Sequence, residues 1–179
     1  HKGSSLMRKI FLASMLAAAA SVPLTAMADV HFEFGIPFQV TKKASVGSFT
    51  GYSTALLLDV DSGTALGIFG EEQNYSDRSA AVGVPATSSV FGFRIQKAVT
   101  DIVNVGMDLA EITTVSGTAA NSGTGNLADF FGNVKLLSTK GKINSYLSAE
   151  MKYRTAKTSG AAANDFSGLQ LALGAGLNF

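Results

Sequence analysis

The segment from Phe166 to Phe179 places the tightest constraint on the fold. From Leu169 onward, apolar side chains occupy every second position, and small or polar residues occupy the positions between them. A period of two belongs to an extended strand, so one face of this segment is apolar and the other is small or polar. Soluble domains tend to end in polar, frayed residues, whereas this strand ends on an aromatic side chain. The pattern predicts a strand that is paired along both edges and apolar on one face.

The N-terminal segment has the three parts of a secretory signal peptide in the right order. A basic start at Met7 to Lys9 precedes an apolar run from Ile10 to Ala20 and a small-residue region that ends at Ala28. The apolar run is shorter than the ~20 residues that a membrane-spanning helix needs, and Pro23 interrupts it even when it is extended. We therefore expect cleavage before Asp29.

Three segments follow from this interpretation: an added remnant at 1–6, a signal peptide at 7–28 and a single folded domain at 29–179. Three of the 14 basic residues lie before residue 29, which leaves 11 basic against 13 acidic residues in the folded part. That balance argues against a nucleic-acid surface. The absence of cysteine excludes disulfides, thiolate metal sites and thiol nucleophiles.

Period-two alternation recurs along the rest of the chain and predicts eight strands in all. The predicted strands cover about residues 30–40, 52–59, 65–70, 91–96, 103–110, 129–138, 143–154 and 169–179. Pro37 falls inside the first of them. Because proline donates no backbone hydrogen bond, Pro37 predicts a bulge or the outer end of that strand.

The connections between these strands alternate between long and short. The long ones are predicted at 41–51, 71–88, 116–127 and 156–165, and the short ones lie near Ser62, Thr100 and Gly141. In an up-and-down sheet this alternation puts every long loop at one end and every tight turn at the other. The sequence thus predicts an all-β, eight-stranded antiparallel up-and-down barrel.

The chain resembles the small eight-stranded outer-membrane barrels of the OmpA and OmpX kind in three features. These are the predicted signal peptide, the eight predicted strands, and the alternation of long and short connections. The resemblance covers residues 29–179 and includes the C-terminal signal of that family, with Gly174, Leu177 and Phe179 in the matching places. It implies a transmembrane barrel in the outer membrane of a Gram-negative cell envelope. It also implies contact with outer-membrane lipid, recognition by the barrel-assembly machinery and a monomeric state.

Alternation alone leaves two orientations open, since a soluble calycin-like barrel would bury its apolar face and a membrane barrel would expose it. The second face here is rich in glycine, and its few charges are mixed in sign, which favours the membrane arrangement. Charges enclosed in a narrow lumen must pair. The predicted lumen ion-pair network comprises Glu33, Asp59, Arg94, Asp108, Lys135, Glu150 and Lys152, with Arg154 as a further candidate.

No catalytic, cofactor or metal site is expected from the sequence. The folded part has one histidine, His31, which the predicted topology puts at the turn end, about a strand length from an outer-rim hydrolase site. Glu71, Glu72, Asp77 and Arg78 are interpreted as a solvated loop patch rather than a divalent-ion or lipopolysaccharide contact.

Two further loop features carry only weak signals. The glycine-rich stretch at 122–125 lacks the strand-to-helix setting and the lysine of a phosphate loop, so it is interpreted as flexible loop. Lys42 and Lys43 could contact lipid phosphate, but two lysines alone are weak evidence for a lipid-binding site.

The leading hypothesis is a non-enzymatic outer-membrane barrel with a structural or surface-interaction role through its long loops. Two alternatives stay open at this point: a narrow, porin-like pore or carrier for small solutes, and a soluble periplasmic lipid-binding barrel. An outer-membrane hydrolase with His31 as its general base is the least favoured hypothesis.

Overall fold

A computed structural model describes residues 29–40, 49–75, 85–116, 122–139, 141–160 and 164–179. In these residues, eight strands form one closed barrel in which each strand pairs antiparallel with its neighbours in sequence. The strands are β1 (Val30–Gln39), β2 (Phe49–Asp61), β3 (Thr64–Tyr75), β4 (Pro85–Ala98), β5 (Val103–Ser116), β6 (Ser122–Thr139), β7 (Asn144–Gly160) and β8 (Gly168–Asn178). The predicted all-β, eight-stranded antiparallel barrel is confirmed.

The barrel closes where β8 meets β1. Their register runs from His31 opposite Asn178 to Gln39 opposite Gln170. The pairing of β1 with β2 ends earlier, at Gly35 opposite Ser53. Pro37 therefore lies beyond the last β1–β2 pair, where its missing N–H costs no bond to β2, and the predicted outer end of the strand is confirmed.

Six strands reach further toward the loop end than the sequence pattern predicts. Residues 49–51 belong to β2, 71–75 to β3, 85–88 to β4, 111–116 to β5, 122–127 to β6 and 156–160 to β7, so the loop interpretation of the parts that fall in predicted loops is wrong. Small or polar residues occupy most outward-facing positions of these strand ends, so the apolar face that marks a strand is absent there. Lys42, Lys43, Asp77 and Arg78 lie outside the described residues.

The two faces of the barrel wall differ sharply in chemistry. In β4, Arg94 is 4% exposed, whereas its neighbours Phe93 and Ile95 are 65% and 42% exposed. The same alternation repeats around the barrel. Large apolar side chains that are exposed on the outer face include Phe34, Ile36, Phe38, Leu58, Leu66, Phe91, Val105, Leu109, Phe130, Leu147, Met151, Tyr153, Leu173 and Leu177. The apolar side of each strand thus faces outward and the polar side faces the lumen.

Aromatic side chains fill the lumen at its loop end. Phe49, Tyr75 and Phe166, here called the aromatic cap, come from the ends of β2 and β3 and from the residues before β8. The ring of Tyr75 lies 5.8 Å from that of Phe49 and 5.9 Å from that of Phe166. Ile112 and Leu127 are buried in the same cluster. Apolar packing thus replaces charged groups at this end of the interior.

Candidate functional site in the barrel lumen

Inward-facing positions bring eight acidic and basic side chains of the described residues together inside the barrel. Each of them is at most 8% exposed. They are Glu33, Glu71, Arg94, Asp108, Asp129, Glu150, Lys152 and Arg154. Buried charges are tolerated only when they are paired and hydrogen-bonded, so the contacts among these groups decide whether the interior is stable.

Arg154 organises the part of this cluster nearer the loop end. Its Nη1 donates to Glu71 Oε1 at 2.7 Å, and its Nη2 donates to Asp129 Oδ2 at 2.7 Å. Lys152 Nζ donates to Glu71 Oε2 at 2.6 Å. We call Arg154, Lys152, Glu71 and Asp129 the Arg154 group. It joins β3, β6 and β7, and its two positive charges balance its two carboxylates.

A chain of hydrogen bonds links the Arg154 group to the aromatic cap. Gln73 donates a hydrogen bond to Glu71 through its side-chain amide. Tyr75 in turn donates its hydroxyl hydrogen to Gln73 Oε1 at 2.6 Å, and Ser88 Oγ lies 3.1 Å from the same hydroxyl oxygen. The hydroxyl of this cap residue is therefore satisfied although Tyr75 is almost completely buried.

Arg94 organises the part of the cluster nearer the turn end. Its guanidinium makes a bidentate pair with Asp108, with Nε to Oδ1 at 2.7 Å and Nη2 to Oδ2 at 2.9 Å. Nη1 donates to Glu33 Oε2 and to Glu150 Oε2, both at 3.1 Å. We call Arg94, Asp108, Glu33 and Glu150 the Arg94 group.

Two aromatic rings lie close to the Arg94 guanidinium. Its central carbon lies 4.7 Å from the ring centre of Phe69 and 4.2 Å from that of Phe131. This stacking adds cation–π attraction and keeps the planar group in the orientation that its carboxylate partners require. Tyr146 Oη donates to Glu33 Oε1 at 2.9 Å, and Gln96 Nε2 donates to the same oxygen at 3.2 Å.

Five of the seven residues in the predicted network come together in these two groups: Glu33, Arg94, Asp108, Glu150 and Lys152. The other two have different neighbours. Asp59 pairs with His31 near the turn end, and Lys135 lies with its ammonium nitrogen 5.2 Å from the ring centre of Tyr146. Asp59 and Lys135 are therefore corrected to positions beside the two groups, toward the turn end.

Sequence reasoning left out Glu71 and Asp129 and gave Arg154 only secondary weight. Glu71 was interpreted as part of a solvated loop, which is wrong, because it lies in β3 and is 4% exposed. A signal was present in the phase of each strand. Glu71 is two residues from the inward-facing Phe69, and Asp129 is two residues from Phe131. Extending the inward phase by one more step would have found both acids.

His31 lies at the turn end, where the barrel closes. Its Nε2 is 2.7 Å from Asp59 Oδ1, and its Nδ1 is 2.7 Å from Asn178 Oδ1. The imidazole thus bridges β8, β1 and β2 in the same place where the two ends of the sheet meet. Both ring nitrogens of His31 are thus within hydrogen-bond distance of a side-chain oxygen.

The three residues of the predicted assembly signal occupy different settings on β8 and just beyond it. Gly174 faces the lumen and lines a small cavity, whereas the side chain of Leu177 points outward. Phe179 exchanges two backbone hydrogen bonds with Val30, and its side chain is exposed.

The described part of the lumen contains a small cavity between its side chains. One cavity of about 20 Å³ lies beside the Arg94 group, which is room for a single water-sized particle. Among the described residues there is no cluster of three histidine, cysteine or acidic side chains arranged to hold a metal ion. That part of the chain also contains no helix long and apolar enough to cross a bilayer.

Comparison of the sequence with protein-family models gives no match, and comparison with curated proteins gives none either. The class of the molecule therefore follows from its geometry: it is a small, closed, eight-stranded antiparallel barrel with an apolar exterior and an ion-paired interior.

Proposed function

We propose that the protein is a non-enzymatic integral β-barrel of the outer membrane, with a structural or surface-interaction role through the connections at its loop end. The observation that carries this proposal is the inverted distribution of side chains. Apolar residues cover the outer face of the barrel, and paired charges fill its interior.

In water this arrangement would be unfavourable. Monomeric soluble proteins rarely expose continuous apolar patches larger than a few hundred Å². Here the apolar outer face extends over all eight strands. Hydrocarbon would solvate that face well, and a closed barrel leaves no unpaired strand edge in it, which is a requirement for crossing a bilayer.

Polar side chains at both ends of the outer face are consistent with a band that fits a bilayer. At the loop end, Glu111 of β5 pairs in register with Asn126 of β6, which pairs with Lys157 of β7. All three side chains are exposed. At the turn end, Lys97 and Asp61 are exposed and form an ion pair. Outward-facing residues between these two levels are mainly apolar.

The remaining parts of the proposal concern export, topology in the membrane and assembly. Residues 7–28 would direct export and be removed before Asp29. The barrel would then reside in the outer membrane as a monomer in contact with lipid, with its tight turns in the periplasm and its long connections at the cell surface. Gly174, Leu177 and Phe179 would be the residues that the barrel-assembly machinery recognises.

The lumen supports this role better than the two alternatives. A pore needs a continuous water path, whereas arginine, lysine and aromatic side chains cross the lumen at several levels. A soluble lipid carrier needs an apolar cavity, whereas charged groups occupy the interior. An outer-rim hydrolase needs its general base at the loop end. His31 instead lies at the turn end, where it is hydrogen-bonded to Asp59 and Asn178.

The proposal is tested by electrophoresis of the folded protein, with and without boiling, after reconstitution into lipid vesicles. We expect a compact band that shifts on boiling, together with recovery of the protein in the outer-membrane fraction of cells that express it. Planar-bilayer recordings should show no discrete conductance. Recovery as a soluble monomer without detergent would contradict the membrane assignment, and regular conductance steps would favour the pore instead.

A further inference from the structure

The two charged groups of the lumen differ in their balance of charge. The Arg154 group contains two bases and two carboxylates. The Arg94 group contains three carboxylates and one guanidinium. Lys152 Nζ approaches Glu150 Oε1 to 3.9 Å, but the same nitrogen is only 2.6 Å from Glu71. The excess of negative charge in the lumen is thus concentrated around Arg94.

The cavity of about 20 Å³ lies at this acidic site. Oxygen-bearing side chains contribute most of the polar lining, with Arg94 on one side. These oxygen-bearing residues are Glu33, Glu150, Ser53, Thr54, Ser148 and Asn133. This free space and the unbalanced negative charge therefore occur in the same place.

Asn133, which lines this cavity, has a buried side-chain oxygen without a partner. It is 5% exposed, and its Oδ1 has no hydrogen-bond partner among the described residues. Leaving a buried acceptor unsatisfied costs its desolvation energy, so such atoms normally face a water or an ion. An occupant that attracts oxygen lone pairs would remove this cost.

Glu150 offers a second available oxygen. Its Oε2 accepts from Arg94 at 3.1 Å, whereas the nearest cation to its Oε1 is Lys152 at 3.9 Å. The oxygens of Glu33 are more fully used, because Oε2 accepts from Arg94 and Oε1 accepts from Gln96 and Tyr146. Glu150 Oε1 and Asn133 Oδ1 are consequently two acceptors beside the cavity without a hydrogen-bond donor.

We propose that this cavity binds a single small monovalent cation of the size of Na⁺, held by oxygen atoms of Glu150, Asn133 and the neighbouring serines. Oxygen is the ligand that hard cations prefer, and one positive charge offsets part of the local excess of carboxylate. A divalent ion fits less well, since Ca²⁺ takes six to eight oxygen ligands and Mg²⁺ gives up its water reluctantly. The inference depends on the lumen alone and not on the membrane assignment.

The test measures thermal unfolding of the full chain, folded in detergent micelles, by the shift of its electrophoretic band. NaCl is titrated against N-methylglucamine chloride at constant ionic strength and constant pH, because the organic cation is too large for the cavity. We expect the midpoint of unfolding to rise with Na⁺ in a saturable way, by about 5 °C. Equal midpoints in the two salts would overturn the proposal and leave water as the occupant.

Two lumen variants and one control locate the effect. Glu150→Gln should abolish the difference between the two salts. Asn133→Asp adds a carboxylate at nearly constant volume and should lower the Na⁺ concentration at half-effect by about tenfold. Glu111→Gln, on the exposed outer rim, should respond to Na⁺ as the unaltered protein does.

The proposal stays testable if Glu150→Gln does not fold, because Asn133→Asp keeps all ion-pair partners and has its own expected direction. An Asn133→Asp variant with an unchanged Na⁺ midpoint would overturn the proposal. So would stabilisation that follows pH equally in both salts, which would assign the site to a proton on a carboxyl group.

Discussion

Phe93 and Arg94 are consecutive residues of β4, yet they lie in opposite environments. The phenylalanine is 65% exposed on the outer face, whereas the arginine is 4% exposed and contacts three carboxylates in the lumen. In a soluble barrel these two positions would be reversed. The comparison teaches that the outer face depends on its surroundings for stability, whereas the lumen depends on complete pairing of its charges.

The two faces also differ in how tightly they are packed. A Cβ atom added to the inward-facing Gly176 would overlap the ring of Tyr146, whereas one added to Gly132 would meet nothing within 4 Å. The lumen therefore resembles a protein core with fixed partners, and the outer face resembles a surface with open space around its side chains. Substitutions at matched positions on the two faces should separate these properties.

The largest expected effect comes from removing a charge in the lumen. Arg154→Met leaves Glu71 and Asp129 without their main partner and should lower the free energy of unfolding by about 3–5 kcal/mol, or prevent folding. Urea-induced unfolding in lipid vesicles, followed by the electrophoretic band shift, measures the loss.

The matching control neutralises one partner at the same time. A double variant with Arg154→Met and Asp129→Asn keeps Glu71 paired with Lys152 at 2.6 Å, so it has no unpaired charge at this site and should recover much of the loss. If the double variant is no more stable than Arg154→Met, the unpaired charge is not the cause of the destabilisation.

A charge placed on the outer face should have the next largest effect. Phe93 lies midway between the outward-facing Ser89 and Lys97, so Phe93→Arg would put a cation near the middle of the apolar band. In a bilayer we expect a loss of about 2–4 kcal/mol in the free energy of unfolding. The same unfolding assay in vesicles measures it.

Val99 provides the comparison at the edge of the band. It follows β4, is 60% exposed and lies beside the tight turn, so Val99→Arg should cost at most about 1 kcal/mol in a bilayer. Equal, small effects at Phe93 and Val99 would mean that water, and not lipid, surrounds the outer face.

The packing difference predicts a smaller effect at the two glycines. Gly176→Ala forces the Tyr146 ring to move and weakens its 2.9 Å hydrogen bond to Glu33, so we expect a loss of about 1–3 kcal/mol. Gly132→Ala should change the free energy of unfolding by less than about 1 kcal/mol, in the stabilising direction. Thermal unfolding of the pair gives the comparison, and a reversed order would contradict the assigned orientation of β6 and β8.

The smallest effect is expected at the exposed ion pair of the turn end. Lys97 Nζ lies 3.2 Å from Asp61 Oδ1, and both side chains are more than half exposed. Lys97→Met should therefore cost less than about 1 kcal/mol, and the loss should shrink as salt is added. A loss as large as that of Arg154→Met would remove the distinction between lumen and surface pairs.

The sequence predicted the strands best where one face is apolar. In β8, Leu169, Leu171 and Leu173 alternate with Gln170 and Ala172, and both the strand and its inward face are recovered. The prediction failed at the loop ends of β3 and β6, because Glu71–Tyr75 and Ser122–Gly125 lack apolar residues on the outer face. The period-two alternation of apolar and polar residues, on which the strand prediction depends, is absent there.

The order of eight strands, their antiparallel pairing and the segregation of apolar from polar side chains were contained in the sequence alone, because alternation and turn spacing are local properties of the chain. Which charges form pairs was decided only by the closed barrel. Arg154 meets Glu71 across 83 positions in sequence, and Arg94 meets Glu33 across 61. Such partners are set by the register and tilt of strands around the barrel, which no local pattern encodes.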